Sequence, residues 1–293
     1  MAVMQASHRI IADLLMQRTG QQLTSGREWR IESALAGLFR EYGIANVDHL
    51  VCLLANPDSE ELSQRVVEAL LNNETYFFRD RQLFQQLAET VLPDLAQRRA
   101  GTRRLSIWSA GCSTGQEALS LSMLFAEQPE IWRGWTIDIL GTDVSAQAIS
   151  AARRACYSQF EIQRGLGVAQ MLRHFRETPH GWEADPALLQ PIRYRNGNVL
   201  DAQTRPERFD LVLCRNVLLY FDHETRRTAF DRVASSLSDG GWLMLGSGET
   251  IAGRTDAFAP ATDVQGLYRR ADQAASNGRQ GKPAFNGSLV PRS

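Results

Sequence analysis

The sequence predicts an α/β protein: a doubly wound, mostly parallel sheet preceded by an all-helical domain. Three observations predict it. Apolar strand-like runs at 104–109, 136–142, 192–195, 209–214 and 241–246 are separated, for the most part, by helical stretches, the alternation that builds a parallel sheet covered on both faces. Residues 7–73 instead carry apolar positions at helical spacing only, as in Ile10, Ile11, Leu14 and Leu15 or Ile31, Leu35, Leu38 and Phe39. Between Ile107 and Leu121 the segment IWSAGCSTGQEALSL runs from strand through a turn of small residues into a helix.

The elements follow in order. Gly20 and Gly43 sit where helices should end, and Val47–Leu54 and Glu60–Leu71 suggest two further short helices. Residues 1–80 are expected to form the helical domain, 81–99 a linking helix, and 100–271 the α/β domain, with an insertion at about 160–192 in which Thr178–Glu183 forms a turn. Gly266-Leu-Tyr-Arg269 follows the last parallel run without a convincing helix between them and is expected to lie antiparallel at the sheet's far end. Residues 272–293 are polar and Gly-rich and are expected to be disordered; LVPRS at their end resembles a protease-site scar.

Composition narrows the function. The chain has 293 residues and a formal net charge of −1, and its only lysine is Lys282, so no global basic footprint for nucleic acid exists. No apolar run reaches the roughly 18 residues that cross a bilayer, and the N-terminus reads as an amphipathic helix rather than a signal peptide. Cys52, Cys112, Cys156 and Cys214 are scattered without a CxxC pair, which suits reduced thiols in the cytoplasm. The five histidines fall at no metal-ligand spacing, so no metal is expected.

A glycine-rich turn before a helix is a natural cradle for phosphate. Here, however, Gly115 is followed by Gln116 and Glu117 rather than lysine, and a carboxylate at the helix start competes for the same dipole. The wider glycine spacing of Gly111 and Gly115 also departs from GxGxxG. A nucleoside without phosphate, carrying positive charge, fits better. The second strand ends Leu140-Gly-Thr-Asp143, placing an acid where ribose hydroxyls are bound in doubly wound folds. S-adenosylmethionine satisfies both requirements. The other reading of Asp143 is a cap for the helix that follows it.

Three stretches extend the case: Asn72-Asn-Glu-Thr-Tyr-Phe-Phe-Arg79, Trp108-Ser-Ala-Gly-Cys-Ser-Thr-Gly-Gln-Glu117 and Cys214-Arg-Asn-Val-Leu-Leu-Tyr-Phe221. In this order they resemble the CheR family of chemotaxis protein-glutamate methyltransferases, over roughly residues 7–270. The resemblance implies a Rossmann-like methyltransferase domain with a small inserted β-subdomain. It implies S-adenosylmethionine as methyl donor and S-adenosylhomocysteine as product. It also implies methylation of glutamates on chemoreceptor signalling helices, for adaptation in chemosensory signalling. Carried over motif by motif, it assigns Asn73, Thr75, Arg79, Glu117, Asp143, Asn198, Val199, Arg215 and Asn216 to the cofactor, and Tyr220 with Arg215 to the methyl-transfer site. An arginine ending the linking helix, Arg98 or Arg99, competes for a further role. Relatives that grip a receptor's C-terminal peptide carry extra glycine-rich residues in the inserted hairpin. Phe175–Trp182 is short, so independence of that peptide is expected. Glutamate is already ionised at neutral pH, so the absence of a His/Asp dyad agrees with a direct displacement needing no general base. The competing functions are a methyltransferase for a small molecule and a non-catalytic sensor of the nucleoside. Arg27, Arg30 and Arg40 suggest a basic face for the receptor, but five arginines balance five acids over residues 1–50, which favours an ordinary solvated face.

Overall fold

The computed structural model describes residues 6–23, 29–201, 208–261 and 266–271; the expected disordered tail and Arg27 lie outside them. Four helices open the chain: α1 (Ala6–Thr19), α2 (Trp29–Tyr42), α3 (Val47–Leu54) and α4 (Glu60–Leu70). Ile11 and Leu15 of α1, Ile31, Leu35 and Leu38 of α2, and Val66, Val67 and Leu70 of α4 recur at helical spacing and are buried against one another. This is the amphipathic stripe that makes a helix stable in a bundle. Asn46 caps α3 by accepting the His49 N–H at 2.8 Å.

The linking segment is one helical rod with a defect. α5 (Arg81–Gln86) and α6 (Leu92–Arg98) flank a π turn at Leu87–Val91, where the Leu92 N–H reaches back to the Leu87 carbonyl. The wider turn adjoins Pro93, which lacks an N–H for a regular helical ladder. It brings Leu83, Phe84, Leu87, Val91, Leu92 and Leu95 into one core.

The α/β domain then runs through β1 (Arg104–Ala110), α7 (Gln116–Ala126), α8 (Pro129–Trp132), β2 (Thr136–Asp143) and α9 (Ala146–Arg154). After these come β3 (Cys156–Tyr157), α10 (Gln159–Gln163), α11 (Val168–His174), β4 (Phe175–Thr178), β5 (Gly181–Ala184) and α12 (Pro186–Leu189). The chain continues through β6 (Ile192–Asn196), β7 (Phe209–Leu213), a 3₁₀ turn at Leu218–Tyr220, α13 (His223–Ser236), β8 (Leu237–Met244), β9 (Phe258–Pro260) and β10 (Leu267–Arg270). The main sheet has the order β6-β2-β1-β7-β8-β10-β9. β6, β2, β1, β7 and β8 are parallel, whereas β10 is antiparallel to β8 and β9 antiparallel to β10. The chain leaves β1 for β2 on one side and later takes up β7 on the other, which opens a crevice at the carboxyl ends of those strands.

Three local readings are corrected. The 266–269 run is antiparallel, as expected, but β9 forms the sheet's edge. Its three residues end in Pro260, which is tolerated at an edge and gives little strand signal. β8 starts at Leu237 rather than 241, through an irregular register against Phe209. The inserted sheet, of order β3-β5-β4, starts at Cys156, ahead of residue 160.

That small sheet is tied to the NETYFFR stretch. Phe77 is fully buried and meets the rings of Tyr157 and Phe175 edge-on, with centroids 5.1 and 5.3 Å away. Gly165 adopts φ +100°, and a Cβ there would lie 1.8 Å from the Phe77 carbonyl oxygen, so no other residue fits this crossing.

A second tie joins the helical domain to the sheet. Glu68 of α4 is buried and accepts the Ala146 N–H at 2.7 Å and the Ser145 hydroxyl, at the start of α9. There its charge also opposes the positive end of the helix dipole. Glu68→Gln is expected to cost about 1–2 kcal/mol, the worth of a charged hydrogen bond reduced to a neutral one. The readout is the denaturant midpoint; an unchanged midpoint would leave Glu68 without this role.

Candidate cofactor and methyl-transfer site

The crevice at the head of β1 holds a cavity. All ten residues singled out in the sequence line it: Asn73, Thr75, Arg79, Glu117, Asp143, Asn198, Val199, Arg215, Asn216 and Tyr220. They come from five separate parts of the chain, and the fold alone brings them together. Arg98 and Arg99 are not among the lining residues: Arg98 pairs with Asp94 at 3.1 Å, and Arg99 donates to Asp210 at 2.7 Å.

The floor is the glycine loop. Gly111 takes φ +81°, and a Cβ on it would fall 2.3 Å from Val217, so this wall is bare backbone. The Gly111 and Cys112 N–H groups donate to the Thr142 carbonyl at 2.8 and 2.9 Å, and the Ser113 N–H donates to Asp143 Oδ2 at 2.8 Å. Asp143 Oδ1 accepts the Ser145 N–H at 2.9 Å. The cap of α9 is Ser145, whose hydroxyl accepts the Ala148 N–H, so Asp143 is not the capping residue. It faces the cavity with lone pairs to spare. Burial is the largest influence on its carboxyl and raises its pKa above the ordinary aspartate value, although the two backbone N–H bonds act in the opposite direction.

At the far end stands a charge cluster. Arg215, with its side chain 2% exposed, donates from Nη1 to Glu117 at 2.9 Å and from Nη2 to Asp80 at 2.8 Å and to the Arg79 carbonyl at 2.6 Å. Glu117 also accepts the Ser109 hydroxyl at 2.7 Å. The guanidinium thus straps the NETYFFR turn to the glycine loop. Asp80, itself in the left-handed region at φ 58°, was not read from the sequence, although it directly follows the motif.

The roof comes from the helical side. Asn73 accepts the Ser113 hydroxyl at 2.7 Å through its carbonyl, and Arg79 donates to the Glu74 carbonyl at 2.9 Å. Asn198 donates to the Thr19 carbonyl at 3.0 Å, and Val199 is buried beside it. The Tyr220 hydroxyl accepts from Asn72 at 2.8 Å. Tyr76 lines the cavity with two guanidiniums near its ring centre, Arg164 at 4.4 Å and Arg79 at 5.5 Å.

These residues fit S-adenosylmethionine. Asn216 Oδ1 is buried in the wall without a partner and calls for a donor, which an α-ammonium would supply. Glu74, Glu117 and Asp143 tolerate a cation, and the arginine nearest the glycine loop is already neutralised by two carboxylates, so nothing there is left over for a pyrophosphate. Among the described residues no group of three His, Cys, Asp or Glu side chains gathers to hold a metal, and no helix is long and apolar enough to cross a membrane.

Residues 73–265 match the family described as CheR methyltransferase, SAM binding domain. The chain belongs to this family. Chemotaxis protein methyltransferase 1 of Pseudomonas aeruginosa is 33% identical over 275 residues, covering 92% of this chain and 100% of its own. Chemotaxis protein methyltransferase Cher2 of Pseudomonas putida is 32% identical, covering 88% and 94%. The chemotaxis protein methyltransferase of Vibrio parahaemolyticus is 31% identical, covering 86% and 91%. As a CheR methyltransferase the protein is an S-adenosylmethionine-dependent enzyme.

Proposed function

We propose that this enzyme methylates glutamate side chains on the signalling helices of chemoreceptors, in the cytoplasm, as the adaptation step of a chemosensory pathway. The observation that carries the reading is the convergence of the NETYFFR, glycine-loop and Cys214–Phe221 stretches on one cavity, with Tyr220 among its lining residues.

Bound S-adenosylmethionine supplies a methyl group on a sulfonium, open to direct displacement by a carboxylate oxygen. The chain's part is alignment and exclusion of water, which together contribute up to roughly 7–11 kcal/mol. Asp143 holds the ribose. Asn216 and the acidic wall receive the methionine end, and Val199 covers the base beside Asn198. Tyr220 donates its hydroxyl to the incoming carboxylate. Arg215 contributes by holding Glu117 and the 79–80 turn, since both of its terminal nitrogens are already engaged. A tighter grip on the carboxylate would stabilise the ground state and slow transfer.

The substrate is reached without a tethering peptide. The β4–β5 hairpin closes from Thr178 to Gly181 over only Pro179 and His180, which leaves no extra loop for a strand-like peptide to grip. Deleting the receptor's C-terminal tail is expected to leave the rate unchanged.

The test is transfer of labelled methyl to a receptor cytoplasmic fragment. Base-labile label on glutamate is expected, and Tyr220→Phe should lower kcat about 10- to 100-fold, the worth of one hydrogen bond to a charged group. Label that survives base, or label only on small molecules, would contradict the reading. Nucleoside binding with no transfer to any receptor fragment would point to a sensor instead.

A further inference from the structure

We propose that Glu249 and Arg226 are positioning residues for methyl transfer: together they clamp the backbone of the Cys214–Phe221 turn and set where Asn216 and Tyr220 stand. The inference rests on the placement of the substrate carboxylate beside Tyr220.

The turn needs holding. Between β7 and α13 the chain forms only the short 3₁₀ turn at Leu218–Tyr220, so several of its backbone groups lack ladder partners. Asn216 sits at φ 59°, a left-handed conformation that a non-glycine residue keeps only when its surroundings impose it. Two side chains supply the missing partners. Glu249, 9% exposed, accepts the Asn216 N–H at 2.7 Å and the Gly246 N–H at 3.0 Å on Oε2, and the Leu219 N–H at 3.3 Å on Oε1. Arg226 of α13 donates from Nε to the Leu218 carbonyl at 2.9 Å and from Nη2 to the Phe221 carbonyl at 2.7 Å. N–H groups on one side and carbonyls on the other are thus met by an anion and a cation, each of the sign that strengthens the bond.

Neither side chain lines the cofactor cavity. Both lie behind the turn, on a separate cavity with Leu218, Leu219, Phe230 and Thr250. Whatever they do for catalysis therefore passes through the backbone of the turn.

The experiment uses the full chain with Arg226→Lys and Glu249→Gln. Lysine keeps the charge but loses the planar fork that spans two carbonyls. Glutamine keeps one acceptor and turns a donor toward an N–H. Three quantities are read: amide exchange of the peptide covering 214–222, S-adenosylhomocysteine affinity, and kcat and KM for methyl transfer to a receptor fragment. Exchange in 214–222 should rise about tenfold or more in both variants, with other segments unmoved. kcat should fall about 10- to 100-fold, the effect of small misplacement at the reacting centre. Arg226→Lys should leave KM for S-adenosylmethionine and product affinity within about twofold, because it loosens only the bonds to the Leu218 and Phe221 carbonyls. Glu249→Gln should weaken nucleoside binding as well, because it frees Asn216. A purely structural role would lower the melting temperature of the whole protein without this split. Unchanged exchange in 214–222, or raised exchange with the wild-type kcat, overturns the proposal. If the wild-type protein methylates no receptor fragment while exchange and product affinity respond as expected, the substrate assignment falls and the clamp stands.

Discussion

Asp143→Ala is expected to weaken S-adenosylmethionine binding by about 30- to 1,000-fold in a calorimetric titration, with the fold retained. Two ribose hydroxyls donating to one buried carboxylate are together worth about 2–4 kcal/mol, counting a charged hydrogen bond at the lower end of its range. Asp143 also anchors the N–H groups of Ser113 and Ser145, so Asp143→Asn is the finer probe: it preserves shape and removes charge. Wild-type affinity in both variants would displace the ribose from β2. The same carboxyl gives a pH signature. Burial raises its pKa above the ordinary aspartate value, so it takes up a proton earlier on acidification than an exposed aspartate, and nucleoside affinity should begin to fall at a correspondingly higher pH. For folding the sign is opposite. A carboxyl whose pKa is raised in the folded state stabilises the fold below its unfolded pKa, and that contribution is lost as pH rises through the folded value.

Arg215→Met should be the most damaging single change to stability, at about 3–5 kcal/mol, because removing one partner of a buried ion pair strands the others. Here the stranded groups are Glu117 and Asp80, 12% and 22% exposed. Water reaching Asp80 places the expected loss near the lower figure. Arg215→Lys keeps the charge but cannot serve three acceptors from a planar head, and should fall between wild type and Met. The denaturant midpoint measures both, provided the slope is unchanged. A midpoint within experimental scatter of wild type for Arg215→Met would mean that the strap is ornamental.

Much of this was legible beforehand. The parallel strands announce themselves as apolar runs because both faces of the sheet are covered, and the ten cavity residues sit in short motifs whose chemistry is local. What escaped notice was mostly long-range. Asp80, Glu68 and Glu249 are charged residues indistinguishable in sequence from solvated ones. Their partners lie 135 residues away for Asp80 and Arg215, 77 for Glu68 and Ser145, and 33 for Glu249 and Asn216. Only folding reveals which charges are buried. Glu68 left one clue, an acid within the apolar stretch Val66-Val-Glu-Ala-Leu70. The sequence likewise suggested that Arg215 greets the substrate, since a motif records that a residue matters but not which neighbours its nitrogens have already engaged. β9 was missed because three residues ending in proline carry no periodicity.

The roof of the cavity belongs to a different part of the chain from its floor. Thr19, Gln21 and residues 71–76 close over the nucleoside space from the helical side. They are joined to the floor by hydrogen bonds from the Gln22 N–H to the Tyr220 carbonyl at 2.8 Å, from Asn198 to Thr19 and from Asn72 to the Tyr220 hydroxyl. Two of these three bonds end on Tyr220, one on its carbonyl and one on its hydroxyl. The tyrosine that lines the cavity therefore also ties its two walls together, and a change at this residue is felt on both sides of the nucleoside space.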